Sequence, residues 1–196
     1  MSKLVVINHL SLDGVYQAPS RSDEDRRDAF DLGGWSVPAA SDPALAQVIG
    51  KEMEGGWSMV LGRMTYEDLY VAWRVKQPTE PMAVSLTQAQ KFVASRQPEL
   101  KLPWENSTRL QGDVAFAVER LKQSHDRTLI VFGSGELVRA LLARGLVDSL
   151  LLMTHPVVLG KGRRLFDEAP LTRFTLAHGS VTSSGVVLAT YHRKAD

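Results

Sequence analysis

Two runs constrain this chain more than any other feature. Leu4-Val5-Val6-Ile7 and Thr128-Leu129-Ile130-Val131-Phe132 are apolar and mostly β-branched without interruption. A strand that never alternates with polar residues has no solvent face, so each run belongs inside a sheet covered on both sides. Shorter strand-like runs follow the same logic at Trp57–Leu61, which ends at Gly62, at Lys91–Ser95, at Ser107–Leu110 and at Leu150–Met153. Helical spacing separates them. Ser41 is placed to cap a helix with Asp42 and Pro43 in its first turn and Leu45, Val48, Ile49 and Met53 on one face, closed by Gly55. Tyr66, Leu69 and Tyr70 mark a second helix. Asp113 caps a third, with Val114, Ala117, Val118 and Leu121 along one side, and Leu137, Val138, Leu141 and Leu142 form a fourth that ends at Gly145.

Strands alternating with helices imply a mostly parallel central sheet with helices on both faces. The tail differs. Phe174 and Leu176, then Val186 to Tyr191, flank Ser183-Ser184-Gly185 and predict a C-terminal antiparallel hairpin at the sheet edge. Gln17 to Ser41 has no sustained period and reads as a long surface loop or lid, and a Pro-containing stretch surrounds Pro78 and Pro81. With 196 residues the chain suits one α/β domain over 1–196 rather than two enzyme domains and a linker.

Composition removes several function classes. There are no cysteines, which excludes thiolate nucleophiles, iron–sulfur ligation and every zinc site built on Cys. The five histidines are scattered, with no second His three to five residues from another, so a metal enzyme is not expected. A formal net charge of +1 supplies no field for a polyanion, so no nucleic-acid partner is expected. Four apolar residues from Leu4 to Ile7 are far too few for a signal peptide or membrane span, so the expected address is the cytoplasm, without a membrane partner.

Ligands of open α/β sheets settle at the carboxyl ends of strands, and three places answer that description. Gly133-Ser134-Gly135 joins a buried strand to a helix, where small residues let backbone N–H groups approach an anion; the same turn could serve only a tight reversal. Gly62-Arg63-Met64-Thr65-Tyr66-Glu67 sets an Arg and a hydroxyl at a helix start, where Thr65 is either a phosphate ligand or an ordinary N-cap. Ser95-Arg96, ending a strand, offers a second guanidinium.

In this order these pieces resemble the dihydrofolate-reductase-like superfamily, specifically the stand-alone relatives of the riboflavin-biosynthesis deaminase–reductase C-terminal (RibD C-terminal) domain. The resemblance covers nearly the whole chain. It rests on Ser11-Leu12-Asp13-Gly14, Gly62 to Glu67, Phe92 to Arg96, Val131 to Gly135, Leu146-Val147-Asp148, and Pro156-Val157-Val158-Leu159-Gly160 with Gly162 beyond. It implies NADPH as cofactor, with Gly62, Arg63, Thr65, Ser95 and Arg96 around the adenosine 2′-phosphate and Gly133, Ser134, Gly135, Glu136 and Leu137 along the diphosphate. The nicotinamide is then expected near Ser11 and Asp13, with hydride passing to a C=N or C=O carbon of a small, pteridine- or pyrimidine-like heterocycle. Two arginines suit a phosphomonoester better than a bare ribose, which predicts a preference for NADPH over NADH. The resemblance also implies a homodimer.

The same comparison narrows the substrate. Folate reductases carry a buried carboxylate after the first strand, and the stretch from Arg21 to Asp31 offers no position that aligns with it. Riboflavin-pathway reductases commonly place an acid before the glycine turn, where Phe132 stands. Asp13 is the acid expected near the ring site, as catalytic and substrate residue, relaying a proton if its pKa is raised; the other reading is a turn aspartate before Gly14. Trp35, after Gly33-Gly34, either stacks on the substrate or plugs the loop onto the core. Lys161, Arg163 and Arg164 either receive a substrate phosphate or are solvated or paired. The expected function is an NADPH-dependent oxidoreductase. Its alternatives are the 5-amino-6-(5-phosphoribosylamino)uracil reductase of riboflavin biosynthesis and a non-catalytic NADPH-binding protein.

Overall fold

A computed structural model describes residues 1–194. Eight strands form one sheet: β1 (Leu4–Leu10), β2 (Trp57–Gly62), β3 (Gln90–Ala94), β4 (Ser107–Arg109), β5 (Thr128–Phe132), β6 (Ser149–Thr154), β7 (Phe174–Val181) and β8 (Val187–Arg193). Their spatial order is β4-β3-β2-β5-β1-β6-β8-β7. Pairing is parallel from β4 through β6, and only β8 runs antiparallel to its neighbours. The uninterrupted apolar runs are the central strands, β1 and β5, which pair Leu4 with Leu129 through Ile7 with Phe132.

Both faces of that centre are covered, as unalternating strands require. Leu4, Val6 and Leu10 of β1 face α4 (Val114–Ser124) and α5 (Gly135–Ala143), joining a cluster with Val118, Leu137, Val138 and Leu141. Val5 and Ile7 point the other way, toward Leu45 of α1 (Pro43–Glu52), Tyr66 of α2 (Arg63–Leu69) and Leu86 of α3 (Pro81–Gln88). Each such buried Leu or Val contributes about 1.5–3 kcal/mol through removal of apolar surface from water.

Several local expectations shift by a residue or more. The cap of α1 is Asp42, not Ser41; its carboxylate accepts from Ala44 N. Asp42 Oδ2 also accepts from the Ser183 and Ser184 hydroxyls, fastening α1 to the β7–β8 turn. Thr65 is not an N-cap: α2 starts at Arg63 after Gly62, which leaves Thr65 inside the first turn. β1 runs past the apolar run to Leu10, so the polar Asn8 lies within the strand. The stretch around Pro78 and Pro81 contains a helix, α3, with Pro81 in its first turn, where a missing N–H costs nothing. After Leu69 the chain continues as a π-helical segment, Tyr70–Val75. The loop from Gln17 to Ser41 holds only two short 3-10 turns, Arg27–Ala29 and Val37–Ala39. Among the described residues no helix is long and apolar enough to cross a membrane.

Candidate functional site

The sheet parts between two of its central strands. β2 pairs with β5 only from Trp57 opposite Thr128 to Met59 opposite Ile130. Yet β2 stays paired with β3 as far as Gly62 opposite Ala94, and β5 with β1 as far as Phe132 opposite Ile7. The chain leaves β2 toward β3 and leaves β5 toward β6 on the opposite side, so the connections diverge at this seam. A crevice at the carboxyl ends of diverging strands is where open α/β sheets bind ligands. Here it is a cleft of about 920 Å³.

One part of the cleft is built to meet an anion. Gly62 and Ala94 are register partners, so Arg63 and the Ser95-Arg96 pair leave adjacent strand ends together, and all three line the cleft with Thr65. Arg63 Nη1 donates to Glu67 Oε2 at 2.7 Å one helical turn away. Arg96 is exposed and has no ion pair among the described residues. The glycine turn lies across the seam: Gly133 has φ +73° and Ser134 has φ +66°, a left-handed turn into α5. Ser134 is the N-cap of α5 and no side chain caps the helix, so its first N–H groups are left for solvent or a ligand.

Where this turn meets β1, a buried donor is unspent. Asn8 is only 5% exposed, lines the cleft, and its Nδ2 has no hydrogen-bond partner. A Cβ added to Gly133 would lie 3.8 Å from both Asn8 Oδ1 and Thr65 Cγ2, so strand, glycine turn and helix start converge on one spot. An unpaired buried amide costs about 1–3 kcal/mol, a cost that a ligand carbonyl or phosphate oxygen removes. The chemistry of Arg63, Arg96, the uncapped turn and Asn8 fits a phosphate-bearing ligand that also offers an oxygen to Asn8 Nδ2.

Gly62, Arg63, Thr65, Ser95, Arg96, Gly133, Ser134, Glu136 and Leu137 therefore share one cleft. Gly135, Ser11, Asp13 and Trp35 do not line it. The Tyr16 ring covers Gly135, where an added Cβ would meet Tyr16 Cε1 at 2.5 Å. Ser11 Oγ donates to Asp13 Oδ1 and accepts from Val15 N, holding a tight turn.

Asp13 is occupied elsewhere. Its carboxylate accepts from Leu159 N at 3.1 Å and Gly160 N at 3.0 Å, and Arg164 reaches it at 3.4 Å. These bonds, led by the one from Leu159, hold its pKa down to about 2, the opposite of the raised value a proton relay needs. Asp13 is a clamp between two loops: Leu12 N donates to Val157 O, Tyr16 N to Arg163 O and Leu165 N to Gly14 O alongside it. The segments Ser11–Gly14 and Pro156–Gly162, distant in sequence, are thus two sides of one contact.

Trp35 donates from Nε1 to Gln17 O at 2.8 Å and sets its ring edge-on to His155, 5.4 Å between centroids. That is the plug reading. The basic cluster is paired within the chain: Lys161 with Asp31, Arg163 with Asp28 and Glu136, Arg164 with Asp13.

Other cleft residues carried no functional signal in the sequence. His9 lines the cleft and shares a 2.8 Å hydrogen bond between its Nδ1 and His155 Nε2. Burial first, and His155 second, lower the His9 pKa to about 4, so it is neutral at pH 7. Ile49, Leu69, Trp73, Met82, Leu86 and Met153 form an apolar floor on the side of α1, α2 and α3. Glu24 also lines the cleft, with a pKa raised chiefly by burial. A helix after Pro78, and an acid in an aperiodic loop, were the missing signals.

The chain matches the RibD C-terminal domain family over residues 2–188. It is 36% identical over 167 residues to the uncharacterised protein YyaP of Bacillus subtilis (strain 168), covering 85% of this chain and 70% of that one. Among solved structures it resembles a pyrimidine reductase-like protein from Corynebacterium diphtheriae, with TM-score 0.65 and 14% identity over 100% of this chain and 93% of that one. It also resembles the dihydrofolate reductase of Enterococcus faecalis complexed with NADP(H), with TM-score 0.64 and 14% identity over 98% and 97%. These likenesses agree with the seam, the strand order and the terminal hairpin: the chain is an α/β domain with a dihydrofolate-reductase-like fold, and it belongs to the RibD C-terminal domain family.

Proposed function

We propose that the protein is an NADPH-dependent reductase that transfers a hydride to a small planar heterocycle. The observation that carries this reading is the delivery of Arg63 and Arg96 to one cleft by the paired strand ends Gly62 and Ala94, opposite an uncapped glycine turn. Arg63, Thr65, Ser95 and Arg96 would hold a ribose 2′-phosphate, since two guanidiniums with hydroxyl donors suit a dianionic monoester and are wasted on a neutral ribose. The N–H groups at Gly135, Glu136 and Leu137 would meet the diphosphate, with Tyr16 packed on Gly135 limiting how near it comes. Asn8 Nδ2 would donate to an oxygen of the nucleotide at the glycine turn, ending its isolation.

NADPH, when bound, supplies the hydride. The protein orients the acceptor and excludes water, and the apolar side chains from Ile49 to Met153 suit that work. We assign no proton donor to Asp13, whose carboxylate is spent on the loop clamp. Edge strand β7, exposed along nearly its whole length with Leu176 and Val181 outward, would pair with a second copy to form a homodimer.

The test is spectrophotometric. NADPH is mixed with the protein and a panel of pteridines, aminopyrimidines and quinones, and absorbance loss of the reduced nucleotide is followed. Turnover with at least one acceptor is expected. Tight NADPH binding without oxidation by any acceptor would leave the binding protein and remove the enzyme.

A further inference from the structure

Asn8 and His9 are consecutive in β1 and both line the cleft, so their side chains leave opposite faces of the sheet. Asn8 lies on the face of the glycine turn and α5, the side assigned above to the nucleotide. His9 shares the face of Val5 and Ile7, which carries α1, α2 and α3, and its register partner on β6 is Met153. It is the one imidazole that lines the cleft among the described residues, and it stands on the side of Ile49, Leu86 and Met153.

One nitrogen of that imidazole is committed and the other is free. His9 Nδ1 shares its 2.8 Å hydrogen bond with His155 Nε2, and His9 Nε2 makes no bond among the described residues. The His155 ring is held from several directions although it does not line the cleft. His155 N donates to Leu10 O at 2.7 Å, and the Trp35 ring, itself tied to Gln17 O, stands edge-on to the imidazole. No charged side chain bonds either ring among the described residues, and burial lowers both pKa values, so both rings are neutral at pH 7.

In a neutral pair one ring donates and the other accepts, so the two tautomers are coupled. A proton on His9 Nδ1 would leave His155 Nδ1 as an N–H donor without a partner among the described residues, on a side chain only 3% exposed. A proton on His155 Nε2 leaves a lone pair there instead. Orphaned N–H donors are the rarer defect in protein interiors, which selects the second arrangement. It sets the His9 proton on Nε2, the nitrogen left for the cleft.

Resting on the reductase reading above, we propose that His9 Nε2–H donates a hydrogen bond to the heteroatom of the bond being reduced, with His155 holding His9 in that tautomer. The acceptor is then a heterocycle that presents a bare ring nitrogen or a carbonyl oxygen to the apolar side of the cleft. Hydride arriving at carbon drives negative charge onto that heteroatom, and a donor already in place stabilises the charge without reorganising. A neutral imidazole suits this work, because it polarises a C=N or C=O bond and keeps its own proton. The proton that completes the reduction comes from water. His9 is thus a catalytic residue and His155 a positioning residue.

The experiment uses the full chain with 15N-labelled histidine, with and without saturating NADPH, and two flat bicyclic probes: quinoxaline, whose ring nitrogens accept hydrogen bonds, and indole, whose N–H donates. Nitrogen spectra near neutral pH should show His9 as the Nε2–H tautomer, and quinoxaline but not indole should shift that N–H resonance. Quinoxaline should bind roughly fivefold tighter than indole, the worth of a neutral hydrogen bond, and His9→Phe should erase that preference. His155→Phe should leave His9 a mixture of tautomers and shrink the preference; thermal melts check that both variants are folded. The spectra of the unaltered protein need no variant. A His9 Nδ1–H tautomer, quinoxaline that fails to bind or binds without moving the Nε2–H resonance, or a folded His9→Phe protein with the preference intact would overturn the proposal. NADPH failing to bind while the tautomer and the probe ranking hold would instead overturn the reductase reading and leave the His9 donor standing.

Discussion

Gly62 and Ala94 are the last paired residues of two neighbouring parallel strands, and Arg63, one residue beyond Gly62, and Arg96, two beyond Ala94, line the same cleft. Thirty-three residues separate Arg63 from Arg96 along the chain, counting 96 − 63, yet the register of one strand pair brings both to a single seam.

Arg63 and Arg96 are not equivalent within that pair. Arg63 is shared with Glu67, while Arg96 has no competing carboxylate among the described residues. Arg96→Ala is therefore expected to weaken NADPH binding by roughly tenfold or more, the loss of a charge-assisted hydrogen bond to a phosphate. Arg63→Ala should cost less. Affinity for NADH, measured by the same fluorescence titration, should hardly move in either variant.

Gly135→Ala tests the glycine turn by sterics alone. Its φ is not left-handed, but the new methyl would meet the Tyr16 ring at 2.5 Å. Displacing a packed aromatic should lower stability by about 1–3 kcal/mol and reduce nucleotide affinity as Tyr16 shifts into the cleft it lines. A melting temperature equal to that of the parent would show that Tyr16 does not rest on this turn.

Asp13→Asn should loosen the contact between the Ser11–Gly14 and Pro156–Gly162 segments and leave the chemical step intact, because Asp13 does not line the cleft. Its folded pKa is depressed to about 2, so the carboxylate contributes stability that is present above about pH 4 and lost as pH falls toward 2. The stability difference between parent and variant, from urea midpoints, should shrink over that window. A large fall in kcat with unchanged stability would return Asp13 to the chemistry.

His9 acts in a different pH window. The folded chain keeps it neutral down to about pH 4, whereas an unfolded chain takes up the proton near pH 6.5. Stability from this group is present above about 6.5 and is lost as pH falls from there to about 4. His9→Asn should flatten the urea midpoint between pH 7 and pH 5. An unchanged slope would mean that burial of His9 does not govern it.

Much of this architecture was legible because burial writes itself on strands. Leu4–Ile7 and Thr128–Phe132 lack alternation and are the two adjacent central strands, and Asp113 stands where a cap must. Pro81 shows the limit: it starts a helix as readily as it marks a turn, and the choice was settled by Ala83 and Leu86 finding a core. The apolar run stops at Ile7 although β1 continues, because the polar Asn8 in a central strand is justified only by what lies across the seam. Asp13 and Glu24 differ for a similar reason. One accepts bonds from Leu159 and Gly160, some 146 residues away, and the other stands beside a helix whose approach no local pattern records.

The central claim is that Arg63 and Arg96 jointly hold one phosphomonoester. Isothermal titration of NADPH and NADH into the parent and the Arg63→Ala/Arg96→Ala double variant tests it most directly. The parent should prefer NADPH by more than roughly tenfold, the worth of Arg96 with a smaller share from Arg63, and the double variant should bind both nucleotides alike. Equal affinities in the parent, or a preference that survives removal of both arginines, would contradict it.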